Sequence, residues 1–398
     1  MKKNILFVIP SLGAGGAEKS LINLLSQFDF KKFNVDLFLF NNSGIFLNSL
    51  PKEVTIIQHE KSFATFNEGL VKSCLHYFFK AKFSLLISRI QFFFANRIKK
   101  DKAISEQKSW KYISKSIRPL EKKYDCAIGY LEKSSLYFVV DKVNSSNKIG
   151  WIHTNYSTSG MNPAFDTFYF NNLQHLVTVS EECAKSLNLY FPAIDAKIAV
   201  IENIVSPQII NSLSILEKEN KFDEESINIL TIARLSKEKG IDLAIEACSI
   251  LMKNNSKIKW YVIGDGPERD ALTQKIKEYQ LQESFLLMGL KENPYGYLKQ
   301  SDVYVQPSRY EGKSIAVDEA KILKKPIIVT NFSTAKDQIN TGENGLITEM
   351  NPISIAESIL TLIQNQKLIG KFALNLSNEK IGTEEEIYKL YDLIDEPN

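Results

Sequence analysis

Two glutamates, Glu311 and Glu319, combine a residue type and a spacing that could do chemistry. Glu311 follows a strand-like run (302–306) and a Pro-Ser turn, whereas Glu319 lies within the helical pattern that comes next. A pair of carboxylates suits general acid–base catalysis, and a single carboxylate can instead accept hydrogen bonds from the vicinal hydroxyls of a ribose. Because eight residues across a loop and a helix do not fix the separation of two carboxylates, no glycosidase geometry is predicted. The helical position of Glu319 favours the ribose-binding role over proton transfer.

Two cationic residues, Arg234 and Lys239, lie in a polar loop directly after another predicted strand (227–233). Because the carboxyl ends of parallel strands meet at one edge of a sheet, this loop is expected beside Glu311. The sequence contains no Asp-x-Asp, no His-Glu-x-x-His and no cluster with the spacing of metal ligands. The charge of a diphosphate would then be met by side-chain cations and helix N-termini, so we expect no metal cofactor. The alternative is that the loop merely exposes two cations to solvent.

A glycine-rich loop near the start of the chain follows the predicted strand 5–9 and precedes a helical pattern. Gly13 and Gly15 have the spacing of the dinucleotide-binding fingerprint, but Glu18 stands where its third glycine belongs. Such a loop, which also contains Gly16, either brings backbone N–H groups close to phosphate or sugar oxygens or simply needs small residues for a turn.

Among the four histidines, His153 is the one for which we expect a role. It ends a predicted strand (148–153) and precedes a polar loop, and the other histidines lack that placement. The turn Gly264-Asp265-Gly266-Pro267 closes a predicted strand (259–263) in the same way. Both features therefore add polar groups to the ends of predicted strands.

The predicted elements alternate between strands and helices through both halves of the chain. A polar segment, 206–226, rich in Glu, Lys and Asn, separates the two series. We therefore predict an α/β fold of two doubly wound Rossmann-like domains that face each other across a cleft. The predicted domains are 1–205 and 206–380, followed by a terminal helix in 381–398. That helix begins with a capping box at Thr383 and Glu386, and it could pack back on the first domain.

The composition is that of a soluble globular protein, with 44% hydrophobic and 24% charged residues among 398. A net charge of +3 gives no reason to expect a nucleic-acid partner. The four cysteines lie far apart, which fits neither a zinc site nor a disulfide framework and favours a reducing, cytosolic compartment. The five apolar residues at 5–9 predict a buried strand rather than a signal peptide. No stretch approaches the ~20 apolar residues of a membrane span.

One segment, 70–102, mixes basic and large apolar residues at helical spacing. This pattern is typical of a helix that lies in a membrane interface beside anionic lipids. The alternative is a domain helix with its aromatic face in the core, but the apolar residues are too many for one core-facing stripe. The basic residues are Lys72, Lys80, Lys82, Arg89, Arg97, Lys99, Lys100 and Lys102, and the apolar residues are Tyr77, Phe78, Phe79, Phe83, Leu85, Leu86, Ile87, Ile90, Phe92, Phe93 and Phe94.

Together these motifs resemble the retaining GT-B glycosyltransferases of family 4. The resemblance is carried by Gly15-Gly16, His153, Arg234 with Lys239, the Gly-Asp-Gly-Pro turn at 264–267, and Glu311 with Glu319. It implies a nucleotide-diphosphate-sugar donor on the C-terminal domain and an acceptor on the N-terminal domain. It also implies transfer that retains the anomeric configuration without a metal.

The resemblance further implies a role for each residue. The catalytic residues would be Glu311, His153, Arg234 and Lys239. The donor-binding residues would be Arg234, Lys239, Gly264, Gly266, Gly312, Lys313, Ser314, Ile315 and Glu319. In this scheme Arg234 and Lys239 bind the diphosphate, Glu319 holds the ribose, and Glu311 with the backbone of 312–315 orients the sugar. Gly15 and Gly16 would line the diphosphate and acceptor cleft.

The sequence departs from the family in two places. After Glu311-Gly312 the family usually has a large apolar residue followed by Gly or Ser, and here Lys313 and Ser314 stand at these positions. The phrase 200–205 lacks the usual Pro-Asn-Gly. A Lys313 that points into the pocket could pair with an acidic or acetamido-bearing sugar. The alternative is a solvent-facing lysine that contributes only its backbone.

We therefore expect a cytoplasmic enzyme, peripheral at the inner face of the cell membrane through the segment 70–102. It would transfer a hexose or N-acetylhexosamine from a nucleotide-diphosphate sugar, with UDP favoured, to a lipid-linked saccharide in surface polysaccharide synthesis. The alternatives are a nucleotide-sugar epimerase or phosphorylase of the same fold, or a non-catalytic scaffold of a polysaccharide complex. The presence together of Arg234, Lys239, Glu311 and Glu319 argues against a scaffold, which needs none of them.

Overall fold

The computed structural model describes residues 2–13, 15–98, 102–216, 222–253 and 257–396. Its contacts divide the chain into two compact units. Unit 1 consists of Met1–Gly13, Leu24–Glu202 and Ile387–Asn398, and unit 2 consists of Ala14–Asn23 and Asn203–Glu386. The chain thus leaves unit 1 after Glu202, three residues before the predicted boundary, and the short segment 14–23 belongs to unit 2 rather than to the predicted first domain.

Strands and helices alternate through the described parts of both halves. The first half contains β1 (Lys3–Ile9), α1 (Gly16–Ser26), β2 (Phe33–Leu39), β3 (Val54–Ile56), α2 (Lys61–Asn67), α3 (Leu70–Phe79), α4 (Phe83–Ile98), α5 (Lys102–Ile113), β4 (Lys123–Gly129), α6 (Ser134–Lys142), β5 (Asn144–Ile152), α7 (Pro163–Asn171), β6 (His175–Thr178), α8 (Glu181–Tyr190) and β7 (Ile198–Val200). The second half contains α9 (Pro207–Leu216), β8 (Ile227–Ile232), α10 (Ile241–Lys253), β9 (Ile258–Ile263), α11 (Arg269–Glu278), β10 (Phe285–Leu287), α12 (Tyr295–Gln300), β11 (Val303–Gln306), α13 (Ile315–Ile322), β12 (Ile327–Thr330), α14 (Ala335–Gln338), β13 (Leu346–Thr348), α15 (Pro352–Ile363), α16 (Gln366–Asn378) and α17 (Glu386–Asp395).

Each unit is built on one sheet whose paired strands are all parallel. The sheet of unit 1 has the order β3-β2-β1-β4-β5-β6-β7, and that of unit 2 has the order β10-β9-β8-β11-β12-β13. In both sheets the strand order reverses beside the first strand, at β1/β4 and at β8/β11. The carboxyl ends of strands at such a switch point form the crevice in which open α/β sheets bind ligands.

Continuous apolar strands form the core of each unit. The five apolar residues 5–9 are completely buried in β1, as expected for a strand that is covered on both faces. In unit 1 the core beside this sheet includes Trp110 and Phe138. In unit 2, Trp260 lies in the cluster on one side of the sheet and Tyr304 in a second cluster. Burial of both faces therefore leaves the strand ends as the places for polar side chains.

The structure adds detail to two segments singled out in the sequence. The polar segment 206–226, predicted as the domain boundary, begins with helix α9, whose Ile210 packs in a small core with Tyr295 and Ile315. The hydroxyl of Thr383 does not cap the terminal helix: it accepts a hydrogen bond from the Val205 N–H (2.9 Å) and donates to the carbonyl of Asn203 (2.8 Å).

The segment 70–102 forms α3 and α4, which are separated by Ala81 with a positive φ of 52°. One of its basic residues, Arg89, is not on a solvated basic face, since it is only 8% exposed. The side chain of Arg97 and the residues Lys99 and Lys100 lie outside the part of the chain that the structure describes. The Arg89 guanidinium lies over the ring of Phe66 (5.5 Å) and donates to the carbonyl of Glu68 (3.0 Å). Among the described residues, no helix has the length and apolar character required to cross a membrane.

Helix α17 returns to unit 1. The Asp29 N–H donates to the Tyr391 hydroxyl (2.8 Å), and the Asn147 amide donates to the carbonyl of Leu393 (2.8 Å). Lys3, at the start of β1, forms an ion pair with Asp395 (2.6 Å). The last helix is therefore an integral part of the first compact unit.

Candidate functional site

The loops after β8 and β11 meet at the switch point of unit 2. The loop after β8 ends in a short 3-10 turn, Lys237–Lys239, and Gly240 then begins the approach to α10. The loop after β11 carries Glu311 and leads into the N-terminus of α13. Because β8 and β11 are neighbours, residues far apart in the sequence come together at one sheet edge.

Lys239 and Glu311 form an ion pair between these two loops. The Lys239 Nζ lies 2.6 Å from Oε2 of Glu311, and the carboxylate is 7% exposed. The other carboxylate oxygen, Oε1, accepts hydrogen bonds from the Ser308 hydroxyl (2.6 Å) and the Gln306 amide (3.1 Å). Every carboxylate oxygen of Glu311 is thus bonded, which fixes the orientation of this side chain as a buried charge requires.

Glycine allows the loops to approach this closely. Gly240 has a φ of +64°, and a Cβ there would lie 1.9 Å from the carbonyl oxygen of Pro307. A Cβ at Gly264 would lie 1.9 Å from the carbonyl oxygen of Ala233, and one at Gly266 would lie 2.4 Å from that of Leu235. The Gly-Asp-Gly-Pro turn therefore packs against the backbone of the loop that carries the predicted diphosphate-binding residues.

Arg309 provides a second link between the loops after β8 and β11. Its guanidinium forms a bidentate pair with the carboxylate of Asp242, with N–O distances of 2.8 and 2.7 Å. It also donates to the carbonyl of Lys237 (2.7 Å), and the Arg309 backbone N–H donates to that of Glu238 (2.7 Å). Burial alone would raise the pKa of Asp242, but the Arg309 guanidinium outweighs it and the pKa is lowered. This network holds the turn that carries Lys239 against the loop that carries Glu311.

The loop between Glu311 and α13 is fixed from its other side. The Thr334 hydroxyl donates to the carbonyl of Glu311 (3.1 Å). The Gln338 side chain accepts from the backbone N–H of Ser314 (2.9 Å) and donates to its carbonyl (2.8 Å). Gly312, Ser314 and Ile315 are buried, whereas Lys313 is partly exposed.

Glu319 forms a second charged cluster in unit 2. Its Oε1 lies 2.5 Å from Nζ of Lys19 and accepts a hydrogen bond from the Tyr295 hydroxyl (2.9 Å). Tyr304 is buried, and burial, followed by the charges of Glu319 and Glu311, raises its pKa. Both predicted carboxylates therefore lie in unit 2, each in an ion pair with a lysine.

Arg234 and the Gly15-Gly16 pair are not brought into contact with either carboxylate. Arg234 is exposed and forms no ion pair or hydrogen bond through its side chain with the residues that the structure describes. Gly16 begins α1, and the Glu18 carboxylate folds back to 2.0 Å from where a Cβ of Gly15 would lie. The Glu18 carboxylate therefore lies over the start of the helix, and a Cβ at position 15 would require this flexible side chain to shift.

His153 lies in unit 1, directly after β5. Its ring stacks on Trp151, with centroids 6.0 Å apart, and its Nε2 is buried without a hydrogen-bond partner among the described residues. The His153 backbone N–H donates to the carboxylate of Glu132 (3.1 Å), which follows β4. Burial lowers the pKa of His153 to about 3 and raises that of Glu132. At neutral pH His153 is therefore an uncharged imidazole.

Sequence reasoning missed several residues that hold these groups in place. They are Lys19, Asp242, Tyr295, Gln306, Ser308, Arg309, Thr334 and Gln338. One signal was present: Gln306 is a polar residue at the end of an apolar strand, and buried polar groups require partners. The other residues carry no local pattern, because their partners come from separate elements.

Comparison with known proteins identifies the domain that contains most of this site. Residues 214–379 match the family described as glycosyl transferases group 1. An N-acetylgalactosamine-N,N'-diacetylbacillosaminyl-diphospho-undecaprenol 4-alpha-N-acetylgalactosaminyltransferase of Campylobacter jejuni is 27% identical over 378 residues, covering 92% of each chain. A poly(ribitol-phosphate) alpha-N-acetylglucosaminyltransferase of Staphylococcus aureus is 29% identical over 198 residues, covering 48% of this chain and 40% of the relative.

The fold is shared with solved structures. A Staphylococcus aureus TarM variant bound to fondaparinux, alpha-GlcNAc-glycerol and UDP superposes with a TM-score of 0.68 at 16% identity, covering 99% of this chain and all of the TarM chain. The two parallel-sheet α/β units therefore match the GT-B architecture, and the predicted fold class is confirmed. The resemblance to glycosyltransferases that the motifs indicated is also confirmed.

Proposed function

Because the chain carries a group 1 glycosyltransferase domain on a GT-B fold, we propose that it is a retaining hexosyltransferase. It transfers a hexose or N-acetylhexosamine from a UDP-sugar to a lipid-linked saccharide used for a surface polysaccharide. The observation that carries this proposal is the ion pair between Lys239 and Glu311 at the switch point of unit 2. At one edge of the sheet, this pair places a cation that can bind a phosphate beside a fixed carboxylate that can bind a sugar.

Three charged side chains share two tasks in this reaction. Lys239 and the exposed Arg234 neutralise the charge that develops on the departing diphosphate, so the reaction needs no metal. Glu311, whose carboxylate is held by Ser308 and Gln306, accepts hydrogen bonds from hydroxyls of the donor sugar. The bond between the anomeric carbon and the diphosphate oxygen breaks, the acceptor oxygen bonds to that carbon from the same face, and the proton of the acceptor hydroxyl passes to the departing diphosphate.

The names of two relatives support an N-acetylhexosamine as the sugar and an alpha linkage as the product. An alpha product from an alpha-linked UDP-sugar is retention. UDP in the TarM structure supports the choice of nucleotide. The diphospho-undecaprenol acceptor in the name of the Campylobacter relative, which matches over 92% of both chains, supports a lipid-linked acceptor.

An exposed apolar surface in unit 1 supports work at the inner face of the cell membrane. We call it the α3–α4 apolar face; its residues are Val71, Leu75, Phe78, Phe79, Phe83, Ile87, Ile90 and Phe94, each between 38 and 78% exposed. Their spacing places them along one stripe of each helix. Exposed lysines at 72, 80, 82 and 102 supply the positive charge that attracts anionic lipid. Uncovered apolar side chains of this size are characteristic of a membrane or protein contact.

The experiment that tests the proposal has two steps. A panel of UDP-, GDP- and ADP-sugars is first screened for thermal stabilisation of the protein, and the sugar that stabilises it is then offered with undecaprenyl-diphosphate saccharides. We expect a UDP-N-acetylhexosamine to stabilise the protein and to yield an alpha-linked product in the presence of EDTA. Donor hydrolysis or epimerisation without any acceptor requirement, or a product of inverted configuration, contradicts the proposal.

A further inference from the structure

The cluster around Glu319 indicates how a nucleotide-binding carboxylate is prepared. We propose that Lys19 is a positioning residue: with Tyr295 it saturates one oxygen of Glu319, leaving the other as the acceptor for a single ribose hydroxyl. This inference rests on the proposed function and deepens it, because it states which of the two carboxylate oxygens binds the nucleotide. It also assigns a role to a lysine from the start of the chain.

The two oxygens of Glu319 have different surroundings. Oε1 receives two donors, Nζ of Lys19 at 2.5 Å and the Tyr295 hydroxyl at 2.9 Å. The side chain of Glu319 is only 1% exposed, so Oε2 is buried, and it has no hydrogen-bond partner among the described residues. A buried acceptor that has no hydrogen-bond donor destabilises the folded protein. A hydroxyl that donates a hydrogen bond to Oε2 removes that destabilisation. A carboxylate whose two oxygens were both already bonded would not gain this stabilisation from the ligand.

The charge of Lys19 keeps this carboxylate available. Burial alone would lower the pKa of Lys19, but Glu319 and Tyr295 outweigh it and the pKa is raised. The Lys19 ammonium also lies over the Tyr295 ring, 4.7 Å from its centroid. Without this cation, Glu319 would be a buried carboxylate that has lost its counter-charge and one of the two contacts that fix the orientation of Oε1. A carboxylate that is no longer held in one orientation cannot present Oε2 to a hydroxyl.

Lys19 is placed by contacts that do not involve Glu319. One residue further along α1, the Ser20 hydroxyl donates to the side-chain oxygen of Asn203 (2.7 Å), and the Asn23 amide donates to the carbonyl of Ile204 (2.9 Å). These bonds hold the segment 14–23 within unit 2. The side chain of Lys19 is 16% exposed, against 1% for Glu319.

The test compares UDP with 2′-deoxy-UDP and 3′-deoxy-UDP by isothermal titration calorimetry. In the unmodified protein we expect one of the two deoxynucleotides to bind about tenfold more weakly than UDP, because it lacks the hydroxyl that bonds to the carboxylate. The other deoxynucleotide keeps that hydrogen bond, so its affinity should lie within about twofold of that of UDP. In Lys19→Met the difference between UDP and the weaker deoxynucleotide should fall to within about twofold. Lys19→Arg should restore it.

Ser20→Ala is the matched control, because it removes a hydrogen bond of the same helical turn without touching Glu319. It should keep the unmodified discrimination between the nucleotides. If Lys19→Met does not fold, Tyr295→Phe serves instead: it frees Oε1 for the second hydroxyl, and both deoxynucleotides should then bind more weakly than UDP.

The proposal is overturned if Lys19→Met keeps the full discrimination, or if both deoxynucleotides lose affinity equally in the unmodified protein. An unchanged asymmetry in Tyr295→Phe overturns it as well. Failure of the unmodified protein to bind any nucleotide is a different result, since it removes the proposed function itself.

Discussion

The ammonium of Lys239 lies 2.6 Å from Oε2 of Glu311, although 72 residues separate the two in the sequence. The pair joins the loop after β8 to the loop after β11, and Arg309 holds the same two loops together through Asp242. Cation and carboxylate are therefore fixed before any ligand arrives. Such preorganisation is the main source of electrostatic catalysis.

Removal of the cation from this pair should lower catalysis strongly. We expect Lys239→Met to reduce kcat/KM for sugar transfer by about 100-fold or more, the typical loss for one preorganised group at a developing charge. Glu311→Gln should also lose activity, and the double variant should lose less than the product of the two effects because the residues act together. Lys237→Met, an exposed lysine on the same turn, is the control and should keep its activity. Full transfer by Lys239→Met contradicts the catalytic assignment.

Gly240 should be indispensable for loop packing. Gly240→Ala puts a methyl group 1.9 Å from the carbonyl oxygen of Pro307 at a φ of +64°. Gly289 has a similar φ of +69° but open space around its Cβ position, so Gly289→Ala meets only the backbone cost of about 1–2 kcal/mol. Thermal unfolding should therefore show a larger loss of stability for Gly240→Ala. Equal losses mean that the close approach of the loops is not required.

The role of Lys313 can be read from donor preference. If its ammonium contacts the sugar, Lys313→Ala should change the order in which UDP-sugars are used, with acidic or acetamido-bearing sugars losing most. Competition assays with pairs of donors measure this order directly. An unchanged order would leave Lys313 with a backbone contribution only.

His153 should make stability depend on pH. Burial lowers its pKa from 6.5 to about 3, so between these values the unfolded chain binds a proton that the folded chain excludes. The contribution of His153 to the free energy of unfolding should therefore be constant above about pH 6.5. It should become less favourable as the pH decreases below that value, by at most about 1.4 kcal/mol per pH unit. Urea unfolding of the unmodified protein and of His153→Gln between about pH 7 and pH 5 measures the effect. If the difference in the free energy of unfolding between the unmodified protein and His153→Gln does not change with pH, the burial of a neutral imidazole at position 153 is contradicted.

The α3–α4 apolar face should bind anionic membranes. Replacing Phe78, Phe79 and Phe83 with serine should reduce co-sedimentation with phosphatidylglycerol vesicles by at least about tenfold, because each ring removes apolar area from the interface. Serine at Leu189 and Leu374, which are 74 and 63% exposed elsewhere, is the control for general loss of apolar surface. Failure of the unmodified protein to bind such vesicles rules out the membrane contact.

Much of the fold was predictable because its signals are local. Strands such as β1 are continuous apolar runs, and Ser180 caps α8 through the N–H of Cys183 (3.2 Å), as the Ser-Glu-Glu sequence indicates. The parallel alternation of strands and helices then predicts which loops share an edge. Hence the neighbourhood of Lys239 and Glu311 could be expected from the sequence.

The contacts of Glu319 could not be predicted in this way. Its partner Lys19 lies 300 residues earlier, and nothing in the local pattern indicates that the segment 14–23 belongs to unit 2. The exposure of Arg234 was equally hidden, because a loop sequence does not say which of its side chains are held. Long-range ion pairs and loop side-chain orientations therefore require the structure.

The return of α17 to unit 1 has a consequence for how the protein is made. The helix pairs with strand residues such as Lys3 and Asn147, and Glu396 forms an ion pair with His175 at 2.8 Å. A ribosome must therefore synthesise all of 203–386 before the first unit receives its last element. Unit 2 can complete its fold while unit 1 still exposes the surface of Phe28 and Phe33 that Tyr391 later covers. During translation, that unfinished surface is where the nascent chain most needs protection from aggregation.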